Sequence, residues 1–282
     1  MKKAIALAAA ALMAVSLTAC GGGSSSTAQT EAQTQAAAEE TQAAASEGSD
    51  LDYVKGKGKL VVGVTDFEPM DYKDDSGNWI GFDADLAAAF AKSLGVDVEF
   101  VEINWDNKIM ELDGKTIDCV WNGMTLTDEV KSSMSTTNAY CNNSQIVILP
   151  KDKADQYKDK DSLKDLKFAV ESGSAGEEQA KELGAEYTPV ESQANALMEV
   201  SSGTSDAAII DSLMAAAMVG EGTSYENLTY TVKLNDEEYG VGFRKGSDLT
   251  EKLNQFFADS YKDGSMKKLA DTYKVSAALI EQ

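Results

Sequence analysis

From residue 51 onward, short apolar runs alternate with helical segments that stop at glycine, and this alternation constrains the fold more than any other feature of the chain. KLVVGV, at Lys59–Val64, is apolar enough to be a strand covered on both faces. Residues 85–94 then place Leu86, Phe90 and Leu94 on one helical face ahead of Gly95. VDVEFV, a short helix near residues 107–112 and a strand over residues 117–121 continue the series. A second set starts with SQIVILP and runs through the strand KFAV, a helix over 177–183 stopped by Gly184, a helix over 194–201 stopped by Gly203, and the strand AAII before Asp211. EYGVGF, at 238–243, is a further apolar strand, and amphipathic helices over 249–261 and 265–273 close the chain. The pattern predicts an α/β protein of two lobes, each a mainly parallel sheet with helices on both faces. Ligands of such folds bind at the carboxyl ends of strands, so the cleft between the lobes is the expected site. KDDSGNW, at 73–79, carries acids but neither the spacing nor the closing Glu of a calcium loop, and is read as a hairpin turn.

Composition removes whole classes of chemistry. The 282 residues include 47 acids against 25 bases, a formal charge of −22, with no histidine and with Arg244 as the one arginine. Zinc sites and most general-base or triad catalysis draw on histidine, so no metal and no cofactor is expected. An acidic surface also repels a polyanion, which argues against nucleic acid as a partner.

The N-terminus reads as an address. Lys2 and Lys3 precede an apolar stretch too short to span a bilayer, and Leu17-Thr18-Ala19-Cys20 ends it, resembling a bacterial lipobox. Residues 1–19 are expected to be a lipoprotein signal peptide and residues 20–50 a lipidated cysteine, Cys20, followed by a flexible tether. The tether segment has no aromatic, no branched aliphatic and no base, so nothing in it repays ordering. About 30 such residues have a reach of roughly 30 Å. The protein is thus expected outside the cytoplasm and anchored to the cell membrane; a monomer is expected.

Four segments together resemble the extracellular solute-binding proteins of polar amino-acid ABC importers: KLVVGVTDFEPMDYKDDSGNWIGFDADLA, NGMTLTDE, FAVESGSAG and SDAAIID, with YGVGFRKG returning the chain. The resemblance implies a two-lobe, type II periplasmic-binding-protein-like clamp. Residues 51–143 plus 242–282 form one lobe, residues 144–241 the other, and two strands near 145–149 and 239–243 serve as hinge. It further implies an amino acid or amine derivative as solute and a membrane permease as partner. Phe67 and Trp105 match the aromatic positions that sandwich the solute, with Tyr72 and Tyr140 as weaker candidates. Gly123 and Thr125 match hydrogen-bonding positions, with a turn cap as the alternative for Thr125. Ser174 and Ala175 match the loop before a helix N-terminus. Asp211 matches the acceptor for an α-ammonium group; from its position after a strand it is either that or a helix cap.

The departure is Val130, which stands where the family has an arginine that forks onto the solute's α-carboxylate. Arg244 matches the return strand, outside the cleft. Glu171 replaces a lysine, and Ile210 a histidine, of the glutamine-binding relatives. Three readings stay open: Lys131 or another lysine supplies the charge; the solute is an amine without that carboxylate, held by Asp211, Glu171 and the aromatic rings; or the solute is of another class or the receptor has lost binding. An enzyme of the cyclohexadienyl or arogenate dehydratase type is the alternative function on the same fold, with Glu171 as an acid. Cys119 and Cys141 either form a bridge or, for Cys119, fill a strand as a small apolar residue.

Overall fold

The computed structural model describes residues Gly48–Gln282, so the expected signal peptide and Cys20 lie outside the described residues. Asp50, which composition assigns to the tether, instead begins helix α1 (Asp50–Lys57), capped by the Ser49 hydroxyl. The first sheet is built from β1 (Lys59–Val64), then, past the small hairpin of β2 (Tyr72–Lys73) and β3 (Trp79–Ile80) and helix α2 (Phe82–Leu94), from β4 (Asp97–Glu102). Helix α3 (Lys108–Asp113) leads into β5 (Cys119–Thr125), and α4 (Asp128–Ser133) precedes the short strands β6 (Ser135–Thr136) and β7 (Cys141–Asn143). At the expected hairpin turn the Asp74 carboxylate accepts from the backbone N–H of Ser76 and of Asn78, which closes the turn without an ion.

The chain then enters a second sheet through β8 (Gln145–Pro150). It continues with β9 (Lys167–Glu171), α5 (Ala175–Leu183), β10 (Glu186–Val190), α6 (Gln193–Ser202), β11 (Ala207–Asp211), α7 (Ser212–Met218) and β12 (Leu228–Lys233). It returns to the first sheet in β13 (Glu237–Phe243) and ends in α8 (Leu249–Lys262) and α9 (Ser265–Thr272). The first sheet has the order β4-β1-β5-β13-β6, with β7 also on β13; the second has β10-β9-β11-β8-β12. In each, three strands are parallel and the strand that crosses between sheets, β13 or β8, is antiparallel to them. Residues 237–241, expected in the second lobe, sit in the first sheet because β13 pairs with β7 from Glu237 and with β5 from Tyr239.

The apolar runs are continuous because both sheet faces are covered. Ile146 and Ile148 pack with Leu197 and Val200 of α6, whereas Val147 and Leu149 pack with Ala180 of α5. In the first sheet Phe90 of α2 meets Trp121, and Trp121 meets Phe257 of α8 edge-on at 5.6 Å, so the C-terminal helices belong to this lobe's core. Cys119 and Cys141 are both buried and free. Cys119 pairs with Phe243 and Cys141 with Tyr239, on opposite sides of β13 and four residues apart along it, roughly 13 Å, beyond the reach of a bridge.

Arg244 closes the first lobe from below. Its guanidinium holds Asp50 at 3.0 Å and Asp118 at 3.3 Å and donates to the Ile117 carbonyl at 2.8 Å, while Asp118 also accepts from Val61 N–H and pairs with Lys57. Among the described residues no helix is long and apolar enough to cross a membrane. Because Asp118 is fully buried, Arg244→Ala is expected to lower the unfolding free energy by roughly 3 to 5 kcal/mol, read as a fall in the urea midpoint.

Candidate functional site

The parallel strands of both sheets deliver their carboxyl ends to one pocket. It is lined from the first lobe by Phe67, Trp105, Lys108, Asn122, Gly123 and Val130, and from the second by Glu171, Ser174, Gln193 and Asp211. Its empty volume is about 480 Å³, open mouth included.

The first-lobe wall is assembled by local bonds that leave little freedom. Beyond β1, the Thr65 N–H and hydroxyl both donate to the Asn122 side-chain oxygen, at 3.0 and 2.8 Å, which fixes the chain entering Phe67. The Phe67 ring is buried edge-on to Tyr239 and lies directly over Gly123. Gly123 has φ +56°, and a Cβ there would fall 2.4 Å from the Phe67 ring, so glycine is needed for both backbone and space. Beneath it, Asp83 accepts from Gly123 N–H at 2.7 Å and from the Tyr140 hydroxyl at 2.6 Å, and Asp71 accepts from the Asn122 amide at 2.8 Å. Burial pushes the Asp83 carboxyl up to about 7, and burial together with the Asp83 charge raises Asp71 well above the usual carboxylate range.

Trp105 opens a single 3-10 turn whose cap, the Asn104 side chain, accepts from Asp106 N–H. Lys108 follows. Its ammonium donates to the Trp105 carbonyl at 3.3 Å and, across the seam, to the Gly173 carbonyl at 2.9 Å, and it lies 5.1 Å from the Trp105 ring centre. Gly173 has φ +71°, and a Cβ there would fall 2.7 Å from the Asp106 Cα, so glycine lets the two lobes approach at this point.

The second-lobe wall is acidic. Glu171 and Asp211 end β9 and β11, and each is only 3% exposed. The Glu171 Oε1 has no hydrogen-bond partner among the described residues. Burial, with the nearby Asp211 charge, pushes Glu171 up to about 8, only partly offset by Thr65, Lys108 and Gln193. Burial and the Glu237 charge push Asp211 up to about 7, against the amide groups that hold it. Those amides are Asn143 at 2.9 Å, Gln193 at 2.9 Å and Gln145. Asp211 occupies the N-cap position of α7, but its side chain makes no cap bond there. Glu237, at the start of β13, accepts from Thr125, Asn143 and Gln145, which ties the acid wall to both crossing strands.

Of the residues singled out from the sequence, Phe67, Trp105, Gly123, Thr125, Glu171, Ser174, Ala175 and Asp211 line this pocket. Tyr72 does not; it sits in the β2–β3 hairpin opposite Ile80. Tyr140 is buried behind the wall on Asp83. The Ser174 hydroxyl accepts from Glu177 N–H as the cap of α5, and the Thr125 hydroxyl donates to Glu237 at 3.0 Å. Val130 lines the pocket, whereas Lys131 is exposed and lines a neighbouring cavity with Asp128 and Asp236. Sequence reasoning missed Lys108 and the amides Asn122, Gln145 and Gln193. The amides carry a weak signal, since Asn122 and Gln145 interrupt or begin otherwise apolar strands.

The profile of the bacterial extracellular solute-binding proteins, family 3, matches residues 60–276. The arginine-binding extracellular protein ArtP of Bacillus subtilis (strain 168) is 31% identical over 278 residues, covering 95% of this chain and 96% of its own length. The L-cystine-binding protein TcyJ of Escherichia coli (strain K12) is 29% identical, covering 79% of this chain and 85% of its own. Among solved structures, the ancestral amino acid-binding protein AncCDT-1, a precursor of cyclohexadienyl dehydratase, matches with TM-score 0.73 at 36% identity, over 80% of this chain and 99% of that one.

The raised carboxyls make stability fall as pH rises. Glu171 titrates near 8 and Asp211 near 7 when folded, against ordinary values of 4.5 and 3.8, so the native state keeps protons that the unfolded chain has released. The melting temperature without solute is therefore expected to decline between about pH 4.5 and pH 8. Glu171→Gln is expected to flatten that slope, measured by calorimetry at several pH values.

Proposed function

The chain belongs to the bacterial extracellular solute-binding proteins, family 3, and from that premise we propose that it captures an amino acid or amine-bearing solute between its lobes and delivers it to the permease of an ABC importer. The fold is the two-lobe, type II periplasmic-binding-protein-like architecture, in which β8 and β13 cross between the sheets. The observation that carries the reading is the convergence of two buried carboxyls, Glu171 and Asp211, with the aromatic rings of Phe67 and Trp105 in one pocket. A carboxylate and an aromatic face both attract an ammonium group, and they do so more strongly once water is displaced. The amino-acid-binding names of ArtP and TcyJ support the same class of solute.

The test is a thermal-shift panel of the proteinogenic amino acids, polyamines, betaines and neutral sugars on the purified protein. At least one amino acid or amine is expected to raise the melting temperature, since a ligand at about 100 times its Kd adds roughly 2.7 kcal/mol to the native state. Response to sugars alone would refute the reading. A second reading draws on Glu171, a buried acid still largely protonated near neutral pH, as the proton donor for an elimination of the cyclohexadienyl dehydratase kind. Turnover of prephenate, followed by absorbance, would replace the binding reading with that one.

We further propose that Cys20 carries the lipid anchor. Cys20→Ser is expected to shift the protein from the membrane pellet to the soluble fraction of the producing cells, while solute affinity stays unchanged.

A further inference from the structure

We propose that Lys108 is the specificity-determining residue that selects a carboxylate-bearing solute, receiving the α-carboxylate of a zwitterionic amino acid whose ammonium group faces Asp211 and Glu171. The inference rests on the solute-binding reading above and narrows it from amino acids or amines to amino acids.

Four observations carry it. First, Lys108 is 5% exposed and is the one basic residue lining the pocket among the described residues. Second, an ammonium has three donors, and two go to the Trp105 and Gly173 carbonyls, so one N–H is left for a solute. Third, among the described residues no carboxylate forms an ion pair with this ammonium, although Glu129, Glu171, Asp106 and Glu178 all act on it from longer range. A buried cation without a close counter-ion is unfavourable, and a solute carboxylate at the remaining donor would relieve it. Burial lowers the Lys108 pKa, in keeping with that unrelieved position. Fourth, the other candidates are placed elsewhere. Val130 is an apolar wall residue, Lys131 is exposed on the neighbouring cavity, and Arg244 is held by Asp50 and Asp118.

The pocket therefore offers one cation in its first-lobe wall and two buried carboxyls in its second-lobe wall, with two aromatic rings alongside. That is a match for a group bearing both charges, and a poor match for a simple amine, which would leave Lys108 with like charge beside it. Because the two carbonyls on Lys108 come from different lobes, a carboxylate docked there meets the seam itself.

The test compares each amino acid with its own decarboxylated amine by isothermal titration of the full-length protein: arginine with agmatine, lysine with cadaverine, histidine with histamine. In the wild type at least one amino acid is expected to bind roughly tenfold or more tightly than its amine. Lys108→Met is expected to weaken that amino acid by roughly 30-fold to 1000-fold and to leave the amine unchanged or tighter, while Lys108→Arg keeps the preference. Melting curves without solute establish that both variants are folded. Equal loss for acid and amine in Lys108→Met, or amines that match the amino acids in the wild type, would overturn the role of Lys108 alone. Binding of neither member of any pair by the wild type would overturn the amino-acid reading and this role with it.

Discussion

Glu171 and Asp211 are the final residues of buried parallel strands, and the rest of the site follows from what burial does to their charge. A carboxylate removed from water must find a counter-charge or hold a proton. Neither has a cation bonded to it among the described residues, and both are driven toward the protonated form near neutral pH. Asp211 is held by a ring of amides from Asn143, Gln145 and Gln193, which orient a carboxyl without neutralising it. Such a wall carries two buried carboxyls with no counter-charge bonded to them among the described residues.

Under the first sheet the same protein buries a second group of charges and pairs them with one another. Arg244, Asp50, Asp118 and Lys57 form a closed set under the first sheet, with the remaining donors on the Ile117 and Leu112 carbonyls. Where partners meet within hydrogen-bonding distance the charges hold elements together. Where Lys108 and Glu171 share a pocket without a salt bridge, each retains capacity for something else. Both lobes contribute to this, since Lys108 reaches the Gly173 carbonyl and Glu237 joins Thr125 of one sheet to Gln145 of the other.

Much of the architecture was legible because period and punctuation reflect local physics. KLVVGV, KFAV and AAII are strands because continuous apolar runs suit sheets covered on both faces, and Gly95, Gly184 and Gly203 end helices in the left-handed conformation that glycine adopts freely. The strand Glu186–Val190 and the helix Ser212–Met218 were not legible: the first is half exposed at a sheet edge and the second is too short for its period to show. Asp50 reads as tether by composition, but the start of helix α1 is held from far along the chain, Asp50 by Arg244, 194 residues away, and Ser49 and Leu51 by Asp248. Lys108 opens a short helix and reads as a solvated lysine; it is buried because a loop of the other lobe closes over it.

The sequence by itself determined the two α/β lobes, the placing of several pocket residues at or just past strand ends, and the lack of an arginine where the family uses one. It did so because strand pattern, glycine stops and residue identity are local properties. Only the tertiary structure decided that Cys119 and Cys141 lie too far apart to join, that Tyr72 stands away from the pocket, and that Lys108 rather than Lys131 brings positive charge to it. Those outcomes depend on strand register and on how two lobes meet. Register and lobe contact are set by pairings between residues far apart in the chain, and no local pattern of residues encodes the distance between them.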